Sequence, residues 1–152
     1  MRAFAGTPGT LTALLLRVSQ CTFAACSLFC MITTPRFSNV TAFCYLIASM
    51  GVLSIWSLGL ACLDAYAMTR KKDFRSPAFV SILVVGDWLT GMLSLSAASA
   101  SAGVAVLLFH DLGDQGPTPG YYKYQLSVSL AFLSWISIHT SSLIMLWLLA
   151  AF

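Results

Sequence analysis

The sequence predicts an all-α fold, an integral-membrane bundle of four transmembrane helices, and three observations carry that expectation. Hydrophobic residues make up 59% of the chain and charged residues only 9%, whereas roughly a quarter of the residues in a soluble domain are charged. The apolar residues gather into four runs, each long enough to cross a bilayer. The positive charges concentrate in one short connection, between the second and third runs.

With about 1.5 Å of rise per residue and a hydrocarbon core of about 30 Å, a span needs roughly 20 mainly apolar residues. The first run, about Leu11 to Ile32, has that length and is broken only by Arg17 and Gln20. The second runs from about Ala42 to Met68, the third from about Ala78 to Phe109 and the fourth from about Tyr124 to Phe152. The second and third exceed the minimum, so they are expected to tilt or to protrude past the headgroups. Thr33, Thr34, Pro35 and Arg36 punctuate the first connection, and Gly113 to Gly120, with two prolines, the last. Neither connection can hold a folded module, so residues 1–152 are expected to form a single four-helix membrane domain.

Orientation follows from the short loops. The middle connection holds Arg70, Lys71, Lys72 and Arg75 against Asp73, and the last holds Asp111 and Asp114 against Lys123. Counting Lys and Arg places the middle loop and both termini in the cytoplasm. Arg2 agrees and Arg36 opposes. Tyr121, Tyr122 and Tyr124 suit an aromatic belt at the outer interface. A cleaved leader ending near Ile32 would instead leave three spans and turn the basic loop outward. The net charge of +3 is spread beside apolar runs rather than in a dense stripe, so nucleic acid is not an expected partner and membrane lipid is. All five cysteines lie inside apolar segments and read as small buried hydrophobes, with Cys30 and Cys44 the one pair placed to meet at the outer ends of a hairpin. Asn39, Val40 and Thr41 spell a glycosylation acceptor, but so close to the bilayer that modification is not expected.

Two opposite charges fall inside the spans. Arg17 and Asp87 enter from the same face to depths that differ by about 5 Å. A lone charge at helix centre costs about 2.5–3.5 kcal/mol even on the lenient insertion scale, so the two are best read as partners. Steps of three and four from Arg17 reach Gln20, Ala24 and Ser27; from Asp87 they reach Thr90, Gly91, Ser94, Ala98 and Ser101. Both charges thus lie on stripes of small or polar residues suited to facing another helix. Asp64 is a rival partner for Arg17, or a snorkelling neighbour of Arg70 and Lys71. A proton relay through Asp87 would need a chain of acids or histidines, and no second mid-membrane acid is present.

His139 stands among Ser134, Ser137, Thr140 and Ser141 in the fourth span. A metal or haem site would need companions, so a neutral histidine bonded to serines is expected. No catalytic residue, cofactor or metal ligand is predicted. A membrane redox enzyme would need a Cys-x-x-Cys pair or a set of haem histidines, and neither occurs. From Ser94 to Gly103 the only large residue is Leu95, so Ser94, Ala98, Ser101, Ala102 and Gly103 offer a face for close packing, inside the bundle or between protomers. A scaffold working through its helix faces is the leading functional expectation, and a small transporter or channel subunit using Asp87 and His139 is the alternative. The loops suit neither a tetraspanin, which needs a large cysteine-bearing second outer loop, nor a claudin, which needs a long first one.

Several phrases point further: the arginine of the first span, Val84-Val85-Gly86-Asp87-Trp88, the run Ala97 to Gly103, Thr41-Ala42-Phe43-Cys44-Tyr45-Leu46, Asp64-Ala65-Tyr66 and Ala131-Phe132-Leu133-Ser134-Trp135. Together they resemble the plant Casparian strip membrane domain protein-like (CASP-like) family over nearly the whole chain. The resemblance implies plasma-membrane localisation, homo- and hetero-oligomers with related family members, and a distant relation to the MARVEL four-helix proteins. It also implies that Arg17 and Asp87 are the family's characteristic membrane charges, and that the protein is a non-enzymatic scaffold that organises a membrane domain.

Overall fold

The computed structural model describes residues 10–34, 37–70, 76–112 and 120–151. These residues form four helices, α1 (Leu11–Ile32), α2 (Thr41–Arg70), α3 (Pro77–Leu112) and α4 (Tyr121–Ala150), with one 3-10 turn at Phe37–Asn39. All four helices are long and apolar enough to cross a membrane. The helix ends follow local chemistry. The Thr10 hydroxyl accepts a hydrogen bond from the Ala13 amide at 3.4 Å and caps α1. Ser76 does the same for Phe79 at the head of α3, and Pro77 takes the first helical position, where its missing N–H costs nothing.

α1 packs on α2 and α4, and α3 packs on the same two helices, so α1 and α3 stand across the diagonal of a square bundle. The buried positions recur every seven residues on each helix: Ala13, Gln20 and Ser27 on the first, with Thr34 just past its end, and Phe43, Met50, Ser57 and Asp64 on the second. The series continues as Val80, Asp87, Ser94 and Ser101 on α3 and Ser127, Ser134, Ser141 and Leu148 on α4. A seven-residue repeat keeps one seam of a helix turned toward its partners, as in supercoiled bundles. Here the seam is rich in serine. Many large apolar side chains point the other way: Ile55, Phe29 and Trp147 are 76%, 69% and 69% exposed. Lipid, not water, is the solvent that suits such a surface.

Two apolar clusters occupy the interior. One, around Met31, Phe43, Leu46, Met50 and Ile138, fills the middle and the far end of the bundle. The other, around Leu60, Val80, Leu83 and Met145, lies toward the basic end, where α2 finishes at Arg70. Tyr124 departs from the expected belt. Its ring stacks on Phe43 at 4.6 Å and is half-buried, because it shares the face of α4 that carries buried Ser127 and Ala131. Tyr121 stacks on Phe109 at 5.0 Å, and Tyr122 is exposed.

Candidate functional site at the bundle centre

Arg17 and Asp87 meet across the bundle diagonal. Nη1 of Arg17 donates to Oδ1 of Asp87 at 2.8 Å, and Nη2 donates to Oδ2 at 2.7 Å. This parallel fork is the strongest geometry open to a guanidinium and a carboxylate. Both side chains are buried. The length of the arginine side chain lets it reach a helix that is not an adjacent packing partner.

The remaining helices contribute to the same centre. The Trp56 indole N–H, from α2, donates to Oδ1 of Asp87 at 2.9 Å. Gly86 makes room for that ring, since a Cβ at this position would overlap the six-membered ring of Trp56. The adjacent pair Gly86-Asp87 therefore first clears the indole and then receives its hydrogen bond. On α1, Oε1 of Gln20 accepts from Ser57 of α2 at 3.2 Å and lies 3.5 Å from Nη1 of Arg17. The Gln20 carbonyl accepts from the Ser134 hydroxyl of α4 at 3.3 Å. One cation and one anion thus cancel, and neutral groups from α1, α2 and α4 complete the network around them.

Asp64 does not take the fork of Arg17. It is buried and borders a small cavity of about 10 Å³ together with Arg17, Leu60 and Met145. His139 differs from expectation. Its ring stacks on Trp135 at 5.4 Å, while the Ser137 and Thr140 hydroxyls donate to the Leu133 and Ile136 carbonyls of their own helix. Such back-bonding to the preceding turn is common for helical Ser and Thr, and among the described residues neither hydroxyl bonds the imidazole. His139 instead borders a cavity of about 40 Å³ that also touches Asp87.

The small-residue run of α3 divides. Ser94, Ala98 and Ser101 are fully buried in the bundle, and Ser101 donates to the Ala42 carbonyl at 3.1 Å. Ala102 packs half-buried against the core, and Gly103 is exposed with open space around it. Ser27 and Ser127, toward the far end of α1 and α4, each donate to the other's carbonyl at 2.8 Å. This clamp was not foreseen, although part of its signal, serine at every seventh position from Ser127 to Ser141 on α4, stands in the sequence. Trp56 and Ser57 were likewise not singled out, and Gly86 stood only within the phrase around Asp87. Arg70 ends α2 with its guanidinium 6.0 Å from the centre of the Tyr66 ring; Lys71, Lys72 and Arg75 lie outside the described residues. Cys30 and Cys44 do not pair, and Asn39 is exposed in the 3-10 turn.

Comparison with known proteins places this arrangement. The family model for the Casparian strip membrane protein domain matches residues 6–137. CASP-like protein 5B3 of Arabidopsis thaliana is 60% identical over 146 residues, covering 96% of each chain. CASP-like protein 5B3 of Oryza sativa subsp. indica is 51% identical over 99% of each chain. CASP-like protein 5B2 of Zea mays is 49% identical over the full length of both. No solved structure matches. With the domain covering most of its length and its relatives matching end to end, the chain belongs to the CASP-like family of plant membrane proteins.

Proposed function

We propose that this protein is a non-enzymatic scaffold of the plasma membrane, with both termini cytoplasmic, that associates with itself and with related chains to organise a membrane domain. The observation that carries this is the engagement of the central charges with each other. Arg17 and Asp87 are joined by two short hydrogen bonds and closed over by Trp56, so they serve to hold four helices together. Working surface then remains on the outside of the bundle. On α3, Ser99, Ala100 and Gly103 form an exposed small-residue patch on which a second helix can approach closely.

The test is self-association in the native membrane and in nanodiscs. The scaffold reading expects slowly diffusing clusters, and expects Gly103→Leu to disperse them while each chain stays folded. A freely diffusing monomer at every expression level would defeat it. Reporters at the two termini should both face the cytoplasm. A second reading, a small transporter, draws on the cavity shared by Asp87 and His139; it requires a flux through reconstituted vesicles that His139→Phe abolishes.

A further inference from the structure

Two exposed features stand at one depth on opposite corners of the bundle. The Arg17–Asp87 fork joins residues 70 positions apart on α1 and α3, which run in the same direction, so Phe29 lies level with Ser99. A second route round the bundle agrees. Ser101 bonds the Ala42 carbonyl, the neighbouring Phe43 stacks on Tyr124, and about one turn along α4 from there Ser127 clasps Ser27. Ser101 is therefore level with a residue about one turn beyond Ser27.

Phe29 is a knob. Its side chain is 69% exposed, whereas Ala24, Ser27 and Met31 bury the opposite side of α1, so the ring points away from the bundle centre. Thr22, Ala25 and Cys26, its exposed neighbours on the two preceding turns, are all smaller, so the ring stands proud of them. On α3, Ser96, Ser99, Ala100 and Gly103 form a hollow. All four are exposed, and a Cβ added at Gly103 would meet only open space. Their spacing of i, i+3, i+4 and i+7 outlines the four-residue hole that receives one knob when helices pack. Met92 and Leu107, each more than half exposed, bound it at its two ends. Ser96 and Ser99 donate to carbonyls of their own helix, and the Tyr45 hydroxyl meets Ser96 at 3.1 Å. The floor of the hollow thus has its hydrogen bonds met and suits an apolar occupant.

α1 and α3 stand on the diagonal, so knob and hollow face away from each other and cannot meet within one chain. A second copy in the same membrane orientation brings its Phe29 to this hollow at matching depth, with the two helices parallel. Because lipid tails are as apolar as the ring, the gain lies in close packing. Resting on the scaffold reading above, we propose that copies of this chain join through unlike faces, Phe29 of one seated in the Ser96–Gly103 hollow of the next. Each contact leaves one knob and one hollow unused, so assembly continues as a row or closes as a ring, and a two-fold dimer is not its end point.

The test replaces Phe29 by p-benzoylphenylalanine in the full chain and irradiates it in the native membrane. A covalent dimer should form, with the cross-link mapping by mass spectrometry to residues 96–103 of the second copy. Adducts confined to lipid, or to another surface of the second copy, overturn the inference. Diffusion of the unsubstituted chain then separates the two readings: slow clusters leave the scaffold standing, and free monomers remove it as well. In parallel, Ala100→Phe fills the hollow and should disperse the clusters without loss of surface-delivered protein, since the position is exposed. Adding Phe29→Ala moves the knob to α3 and leaves Thr22, Ala25, Cys26 and position 29 as the hollow, so the double variant should regain the clusters. Clusters indifferent to Ala100→Phe, or a double variant as dispersed as the single one, overturn the knob and hollow.

Discussion

The two ends of the bundle hold their helices together by different means. Toward the basic end, Arg17, Asp87, Trp56 and Gln20 form a charged centre whose members are distinct and each have a specific partner. Toward the far end, Ser27 and Ser127 exchange bonds with each other's backbone, and Ser101 bonds the Ala42 carbonyl. A carbonyl is present at every residue, so a serine that loses register can find another acceptor. A buried arginine that loses Asp87 keeps only the longer 3.5 Å contact to Gln20 and loses its forked carboxylate partner. The ionic half therefore specifies which helices assemble and in what order around the square, while the serine half lets backbones approach without demanding one arrangement.

That contrast can be broken most directly at the ion pair. Arg17→Leu or Asp87→Leu leaves one buried charge unpaired, a loss of about 3–5 kcal/mol, and should sharply reduce folded, surface-delivered protein. The double variant should recover a substantial part. Strictly additive losses in a surface-level assay would show that the charges act separately. Arg17→Lys should behave nearly as badly as Arg17→Leu, because an ammonium cannot reproduce the two-pronged fork.

A smaller effect is expected one residue away. Gly86→Ala pushes a methyl group into the Trp56 ring. It should cost about 1–3 kcal/mol by overpacking, and further stability if the indole leaves Asp87. Trp56→Phe should be destabilising alone yet lessen the additional penalty of Gly86→Ala, since a smaller ring yields the space; denaturant unfolding of the four variants in mixed micelles reads this coupling. Equal penalties in both backgrounds would place the strain elsewhere.

Next comes the small-residue run. Ala98→Leu inserts bulk into the packed interior and should cost about 1–3 kcal/mol, whereas Gly103→Leu, with open space around it, should leave monomer stability unchanged. Thermal unfolding separates the two. The smallest measurable loss should come from Ser27→Ala or Ser127→Ala, at about 0.6 kcal/mol each, the average for hydrogen bonds between membrane helices. A loss as large as that of the ion pair would erase the distinction between the two ends.

What could be read from the chain beforehand divides along the same line. Depth along a membrane helix is nearly linear in residue number, so Arg17 and Asp87 are recognisable as partners without knowing how the helices are arranged. Which helices are neighbours is not encoded in any one span, and so the indole of Trp56 and the Ser27–Ser127 exchange stay hidden until four helices are placed together. The helix limits of the first span were equally legible, because Thr10 and Thr33 flank one apolar run. The inward turn of Tyr124 was not, because which face of α4 meets Phe43 of α2 is settled only when the helices are packed. His139 shows a different limit: neighbouring hydroxyls in sequence were counted as partners, although a helix offers them its own carbonyls first.

The diagonal pair also sets a schedule for biogenesis. Asp87 follows Arg17 by 70 positions, and a ribosome adding roughly 5–20 residues per second therefore delivers the acid about 4–14 s after the base. During that interval the first span holds a cation with no counter-charge, and its arginine lies close enough to the Leu11 end to snorkel toward the headgroups. Once the third span brings Asp87 into the bilayer, the snorkelled arginine can be drawn inward to its partner. Closure of the fork thus reports that three spans have entered in the correct orientation, and a chain whose third span inserts backwards remains exposed to the cell's membrane quality control.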